Sequence, residues 1–199
     1  MEPPSTSDKL FIQEQDLLLD GYRLGMQIVE SGFRPDFMAG IWRGGSSVGI
    51  VVQECLQYFG IETDHISIRT SYRGAATYQQ IIDHAESIRV HGLQYLFETM
   101  NAEDSFLIVD DVYSSGLNVK AVIDRMNNKM RRNMPHDVRI AVPWYKPGRN
   151  RTGRVPDYYL HETDQWLVLP YELTGLTLEE IRKTKQGLGP IFDDLEVYL

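Results

Sequence analysis

The stretch Ser105-Phe106-Leu107-Ile108-Val109-Asp110-Asp111-Val112-Tyr113-Ser114-Ser115-Gly116-Leu117-Asn118 decides the fold. Its first five residues form an apolar run that predicts a buried strand. Two carboxylates end the run, and a hydroxyl-rich loop with one glycine follows. From Gly116 to Arg131, the apolar residues Val119, Val122, Ile123 and Met126 recur at helical spacing. A strand, an acidic pair, a glycine loop and a helix form the layout that turns backbone N–H groups and a helix N-terminus toward an anion. The acids fall at the carboxyl end of the strand, where open α/β sheets bind ligands.

The same layout occurs earlier. Phe37 to Trp42 reads as a buried strand, Arg43-Gly44-Gly45-Ser46-Ser47 as a glycine loop with a cation, and Ser47 to Phe59 as a helix carrying Val48, Ile50, Val51, Val52 and Leu56. Two such units predict an α/β fold, a parallel twisted sheet flanked by helices. Around them, Gln13 to Ser31 reads as an amphipathic helix stopped by Gly32. Asp64 to Arg69 reads as a strand and Thr70 to Gln80 as a mobile loop. Ile81 to Val90 fits helix or strand, and His91 to Met100 fits a short helix. Asp137 to Val142 reads as a strand ending at Pro143. The basic tract Arg149 to Arg154 reads as a solvated turn in preference to a phosphate-facing rim of Arg149, Arg151 and Arg154. Tyr158 to Leu160 and Trp166 to Leu169 read as short strands of a small cap. Thr177 opens a helix to Lys185, with Glu180 completing a capping box.

Composition narrows the function classes. A chain of 199 residues holds one well-cored domain with a small appendage. The net charge of -8 argues against broad binding to a nucleic-acid backbone. The single cysteine, Cys55, excludes an intrachain disulfide. No apolar stretch reaches the roughly 18 residues of a membrane span, so no membrane partner is expected. The polar opening residues lack the basic-then-apolar order of a signal peptide, and residues 1–10 are read as a mobile leader to a cytoplasmic protein. Cys55 and the histidines His65, His84, His91, His136 and His161 show no metal-ligand spacing.

The chemistry at Asp110 and Asp111 suits a ribose 5-phosphate. Adjacent carboxylates accept hydrogen bonds from two vicinal hydroxyls. Ser114, Ser115 and Asn118 can hold the phosphate, and Gly116 lets the backbone come close. Val109 to Asn118 resembles the phosphoribosyl-diphosphate signature of the type I phosphoribosyltransferases, and the resemblance extends over about Phe11 to Glu172. It implies that Asp110, Asp111, Tyr113, Ser114, Ser115, Gly116, Leu117 and Asn118 bind the phosphoribosyl group. Ile41-Trp42-Arg43-Gly44-Gly45 resembles the family's diphosphate loop, which often contains a cis peptide and here assigns Trp42, Arg43 and Gly44 to the diphosphate. Ser71 and Tyr72 resemble the dipeptide of the loop that closes over the reacting centre. The chain is most similar to the bacterial 6-oxopurine branch. Lys146-Pro147-Gly148-Arg149, Trp166 and Pro170-Tyr171-Glu172 resemble its purine-binding hood, placed mainly in residues 146–176 of a single domain spanning 11–199. On that resemblance Lys146, Trp166 and Leu167 contact the base. Asp110, Asp111 and Glu172 hold Mg2+, and Asp110, Asp111, Arg43 and Ser114 act in catalysis. The implied partners are phosphoribosyl diphosphate and a purine base, and the implied assembly is a homodimer or homotetramer.

Three positions depart from the pattern, and the departure at Ser114 bears on the chemistry. The 6-oxopurine branch usually has Asp where this chain has Ser114, and Thr where it has Ser115 and Asn118. A serine cannot serve as a base near neutral pH, and a lost general base lowers a rate by ~10²–10⁴-fold. Transfer to a purine in salvage, transfer to another nitrogen heterocycle, and non-catalytic sensing of a nucleotide or phosphoribosyl diphosphate all stay open on the sequence.

Overall fold

The computed structural model describes residues 9–72, 88–185 and 187–193. Its elements run β1 (Lys9–Phe11), α1 (Glu14–Glu30), β2 (Phe37–Trp42), α2 (Gly44–Tyr58), β3 (Asp64–Tyr72), β4 (Ile88–His91), α3 (Gln94–Thr99), β5 (Ser105–Val109), β6 (Val112–Tyr113), α4 (Leu117–Met130), β7 (Asp137–Tyr145), β8 (Tyr158–Glu162), β9 (Trp166–Val168), α5 (Leu178–Thr184) and α6 (Leu188–Asp193). They divide into two compact units. One covers residues 18–164, and the other brings the described residues up to 17 together with those from 165 onward. No helix among the described residues is long and apolar enough to cross a membrane.

The larger unit is a mixed sheet in the order β4-β3-β2-β5-β7, with β6 and β8 both paired to β7. Every pairing is parallel except β3 with β4. The sequence direction reverses between β2 and β5. From β2 the chain crosses through α2 to β3 on one side, whereas β5 lies on the other side and leads on to β7. Such a reversal opens a crevice at the carboxyl ends of the two central strands. Both sheet faces are covered. Ala39, Ile41, Phe106, Ile108, Ile140 and Val142 pack with Val119, Val122 and Met126 of α4. The alternate residues Met38, Leu107 and Val109 are also fully buried. Burial on both faces explains why these strands read as unbroken apolar runs rather than alternating ones.

Close packing of glycines sets the helix positions. Cβ atoms added at Gly21 and Gly25 of α1 would meet Val51 at 2.8 Å and Cys55 at 2.6 Å, so the two helices cross at near backbone contact. A Cβ on Gly40 would meet Gly45 O at 2.8 Å, and one on Gly45 would meet Val109 O at 2.5 Å and Asp110 Cα at 2.8 Å. The first turn of α2 is therefore laid directly on β2 and on the end of β5. That contact moves the start of α2 forward to Gly44 from the expected Ser47, because two poor helix formers are kept helical by packing.

Other expectations shift for tertiary reasons. β3 runs on to Tyr72 because β4 pairs with its end, and β4 falls in the stretch that read either way. β7 passes through Pro143 to Tyr145. Proline is tolerated there because no ladder needs its missing N–H: pairing with β5 ends at Val109↔Ala141, pairing with β6 resumes at Val112↔Trp144, and pairing with β8 skips from Val142 to Trp144. Tyr158 to Leu160 does not belong to a cap. β8 is a parallel strand of the main sheet, fixed by Asp157 Oδ2 accepting from Ile140 N at 2.9 Å.

In the smaller unit β1 pairs in parallel with β9, Lys9 opposite Trp166. The leader expected over residues 1–10 is thus ordered strand by Lys9. The capping box at α5 forms: Thr177 N donates to Glu180 Oε2 at 3.0 Å, and Glu180 N to Thr177 Oγ1 at 3.2 Å. The other oxygen of Glu180 takes a buried ion pair from Lys9 at 2.7 Å. Lys185 closes the unit by donating to the carbonyls of Leu169 and Pro170 at 2.7 and 2.8 Å.

The replacement Gly45→Ala should lower the urea midpoint. Alanine gains ~1 kcal/mol of helix preference, but its methyl overlaps backbone atoms that cannot swing away, a cost of ~1–3 kcal/mol. An unchanged midpoint would show that the first turn of α2 can lift off β5.

Candidate active site

The acidic pair interrupts a strand line. β5 and β6 pair with β7 at the same offset, so β6 continues β5 beyond Asp110 and Asp111. Asp110 N still donates to Ala141 O at 3.2 Å, but Asp111 N turns to Asp110 Oδ1 at 3.0 Å and Val112 N to Asp111 Oδ1 at 2.7 Å. Asp110 is buried and Asp111 half-buried. Burial pushes the Asp110 carboxyl well above the usual carboxylate range, and the neighbouring Asp111 charge adds to the shift. Two acids this close, in a crevice at a strand end, make a candidate functional site.

Beyond β6 the chain makes the expected turn into α4. Gly116 sits in the left-handed region at φ 75°, which favours glycine. Leu117 N reaches Ser115 Oγ at 3.4 Å, and Lys120 N donates to Gly116 O at 2.9 Å, the first bond of the helix. The first N–H groups of a helix lie ahead of its own hydrogen-bond ladder. Ser114, Ser115, Leu117 and Asn118 are half-buried around this helix start, and Tyr113 is buried beneath it.

The second loop arrives from β2. The peptide between Trp42 and Arg43 is cis. Trp42 and Arg43 are exposed, while Gly44, Gly45 and Ser46 are buried in the first turn of α2. A Cβ on Gly45 would stand 3.1 Å from Asp110 Oδ1, so the N-terminus of α2 and the acidic pair are in van der Waals contact. The N-terminus of α2 thus packs on Asp110, and that of α4 follows Asp111 in the chain after β6 and the glycine turn. Each end favours an anion.

Lys146 joins the same cluster. Its N–H donates to Tyr113 O at 2.9 Å, and its side chain is buried. The tight turn Pro147–Arg149 after it is pinned by Gly148 N donating to Asp164 Oδ1 at 3.1 Å. Ser71 lies near the end of β3, its hydroxyl 3.0 Å from His91 Nε2, and Tyr72 is the last residue of that strand. The rest of the expected closing loop, Arg73 to Gln80, lies outside the described residues. Trp166, Leu167 and Glu172 belong to the smaller unit. Trp166 is exposed and Leu167 buried on β9, and Glu172 Oε2 accepts from Leu169 N at 2.9 Å.

Among the described residues no group of three or more His, Cys, Asp and Glu could hold a metal ion. The adjacent carboxylates nevertheless suit Mg2+, which binds through one or two carboxylates and takes its other oxygens from water and substrate phosphates. Sequence reasoning missed Asn150 and Thr152. Both fall in the tract read as a solvated turn, yet Thr152 Oγ1 lies 3.0 Å from the buried Tyr113 hydroxyl. Only the Asn-x-Thr turn chemistry hinted at it.

The sequence matches the family model described as a phosphoribosyl transferase domain over residues 12–174. No curated protein sequence matches the chain. Among solved structures, it is similar to a purine phosphoribosyltransferase from Pyrococcus horikoshii, with 22% identity and a TM-score of 0.61 over 85% of this chain and 98% of that one. A hypothetical protein from Neisseria gonorrhoeae with bound ppGpp aligns with 18% identity and a TM-score of 0.64, over 89% and 96% of the two chains. The Helicobacter pylori xanthine-guanine-hypoxanthine phosphoribosyltransferase aligns with 14% identity and a TM-score of 0.60, over 88% and 99%.

The raised Asp110 titration makes stability depend on pH. Folding favours its neutral form, so above the ordinary carboxylate range the folded chain keeps a proton that the unfolded chain has lost. That contribution is present at low pH and is lost as pH rises through the folded value. Asp110→Asn should therefore be more stable than wild type near neutrality, with the gap closing toward pH 4. Urea midpoints across this range check it; a gap that does not change with pH would contradict it.

Proposed function

The chain belongs to the phosphoribosyl transferase domain family, and from that premise we propose that it transfers a phosphoribosyl group from 5-phospho-α-D-ribose 1-diphosphate to a purine base, a 6-oxopurine first, giving a nucleoside monophosphate and diphosphate in salvage. The observation that carries the reading is the packing of the α2 N-terminus on Asp110 through Gly45, with the glycine turn into α4 following Asp111 along the same strand line. A donor with a phosphate at one end of its ribose and a diphosphate at the other has the complementary shape.

In this reading the Ser114 to Asn118 turn holds the 5-phosphate. Remote binding energy then positions C1 for reaction. Asp110 and Asp111 accept from the ribose hydroxyls and favour the positive charge that grows on the ring as the C1–oxygen bond to diphosphate breaks. A ring nitrogen of the base attacks C1 from the opposite side and forms the new C–N bond, and the proton that the base gives up passes to water or to the departing diphosphate. Arg43 and the α2 amides stabilise the leaving diphosphate. Mg2+, when bound with the diphosphate, supplies further charge for its departure. Ser71 and Tyr72 belong to the segment that excludes water. Lys146 meets the purine oxo group, and the resemblance alone assigns Trp166 and Leu167 to the base. The resemblance also implies a dimer or tetramer.

Ser114 favours a second reading, in which the site holds a nucleotide without rapid transfer. The Neisseria gonorrhoeae structure with bound ppGpp supports that reading as a fold-level precedent. Incubation with phosphoribosyl diphosphate, Mg2+ and each of hypoxanthine, guanine, xanthine, adenine and orotate separates the two. Release of diphosphate with one base identifies the enzyme and its acceptor, whereas binding without release identifies the sensor.

Two variants test the assignment of residues. Asp111→Ala and Arg43→Ala should each reduce transfer by at least ~10²-fold, as loss of a charge-stabilising group does; near-normal turnover in both would reject the site. Ser114→Asp should raise the rate on a 6-oxopurine by ~10²-fold or more by supplying a base. An intact variant with no gain would assign Ser114 to a different acceptor chemistry.

A further inference from the structure

The tract from Asn150 to Arg154 is built against the phosphate turn rather than into solvent. Arg151 N donates to Ser115 O at 3.0 Å, and Lys146 N to Tyr113 O at 2.9 Å, so the turn is held at two of its own carbonyls. Thr152 carries the third hold. Its hydroxyl has one proton, which goes to Asn150 Oδ1 at 3.0 Å. The remaining lone pairs accept from Tyr113 Oη at 3.0 Å and Arg154 N at 3.3 Å. Asn150 is equally committed. Its Oδ1 also accepts from Thr152 N at 2.9 Å, and its Nδ2 donates to Arg154 O at 2.9 Å and Tyr145 Oη at 3.1 Å. The hydroxyls end against Gly116. A Cβ there would lie 2.5 Å from Tyr113 Oη and 2.8 Å from Thr152 Oγ1.

We propose that Asn150 and Thr152 are positioning residues for the phosphate turn, holding Gly116 and the opening N–H groups of α4 in place through the Tyr113 hydroxyl. The inference rests on the phosphoribosyl reading. A turn already ordered before the ligand arrives spares the entropy of ordering it on binding. Thr152 touches no substrate in this role; it acts through Tyr113. With its hydroxyl gone, the buried Tyr113 hydroxyl loses its acceptor, and the turn must shift to find another.

Isothermal titration with ribose 5-phosphate, and separately with inorganic diphosphate and Mg2+, tests the idea on the full chain. Thr152→Val should weaken ribose 5-phosphate about five- to tenfold, the effect of one lost hydrogen bond, and leave diphosphate binding unchanged. Tyr113→Phe keeps the ring packing and should do the same, whereas Thr152→Ser should restore wild-type binding. Unchanged ribose 5-phosphate affinity in both the Val and Phe variants overturns the inference. Equal loss for both ligands also overturns it, because a general loss of structure would act on both. These two outcomes leave the phosphoribosyl reading standing. If the wild-type chain binds neither ligand, that reading fails and the inference falls with it.

Discussion

A missing side chain governs the architecture of the site. Gly45 places a bare Cα where any Cβ would strike Val109 O, Asp110 Cα and Asp110 Oδ1. This one contact fixes the distance between the N-terminus of α2 and the end of β5. Gly40 performs the same service one layer down, against Gly45 O and Ser46 Cα. The gap between the α2 N-terminus and Asp110 is therefore a property of backbone packing, not of flexible side chains. Close-packed backbone deforms little, which keeps that helix end in one place.

Such a gap also brings a carboxylate under pressure. Asp110 is enclosed by the same packing and lies beside Asp111, so its charged form is disfavoured. The helix N-terminus beside it acts in the opposite sense. Burial is the larger effect, because the dipole of a helix end is worth at most ~2 kcal/mol and a fully buried carboxyl can shift by several units. A cationic or hydroxyl-rich ligand would relieve the pressure. A ligand of that kind would favour the charged form of Asp110 and so release its proton.

Much of the sheet was legible in the sequence, because doubly covered parallel strands leave a plain mark. Phe37 to Trp42 and Ser105 to Val109 coincide with β2 and β5 to the residue. The acidic pair and the glycine turn were equally legible, since local chemistry dictates them. What escaped depends on partners distant in sequence. β8 resembled a cap strand because nothing in Tyr158 to Leu160 announces that Ala141 will be its neighbour. β1 was hidden because three residues paired to Trp166, Leu167 and Val168 carry no periodicity. The start of α2 was obscured by glycines whose helical state comes from contact alone. Asn150 and Thr152 looked like turn residues, and they are; the sequence carries no sign that the turn closes on Tyr113.

The break between β5 and β6 has a dynamic consequence. Asp111 N bonds to a neighbouring side chain, not to β7, and Pro143 across from the break carries no amide proton. The sheet therefore has a seam at this point. The seam is closed by carboxylate bonds among three consecutive residues, so it can open locally at a free energy below that of global unfolding. The Asp111 amide would then exchange with solvent through that local opening, and those of Phe106 to Val109 with the core. A rigid frame and a compliant acid are thereby joined within a few residues of one strand line.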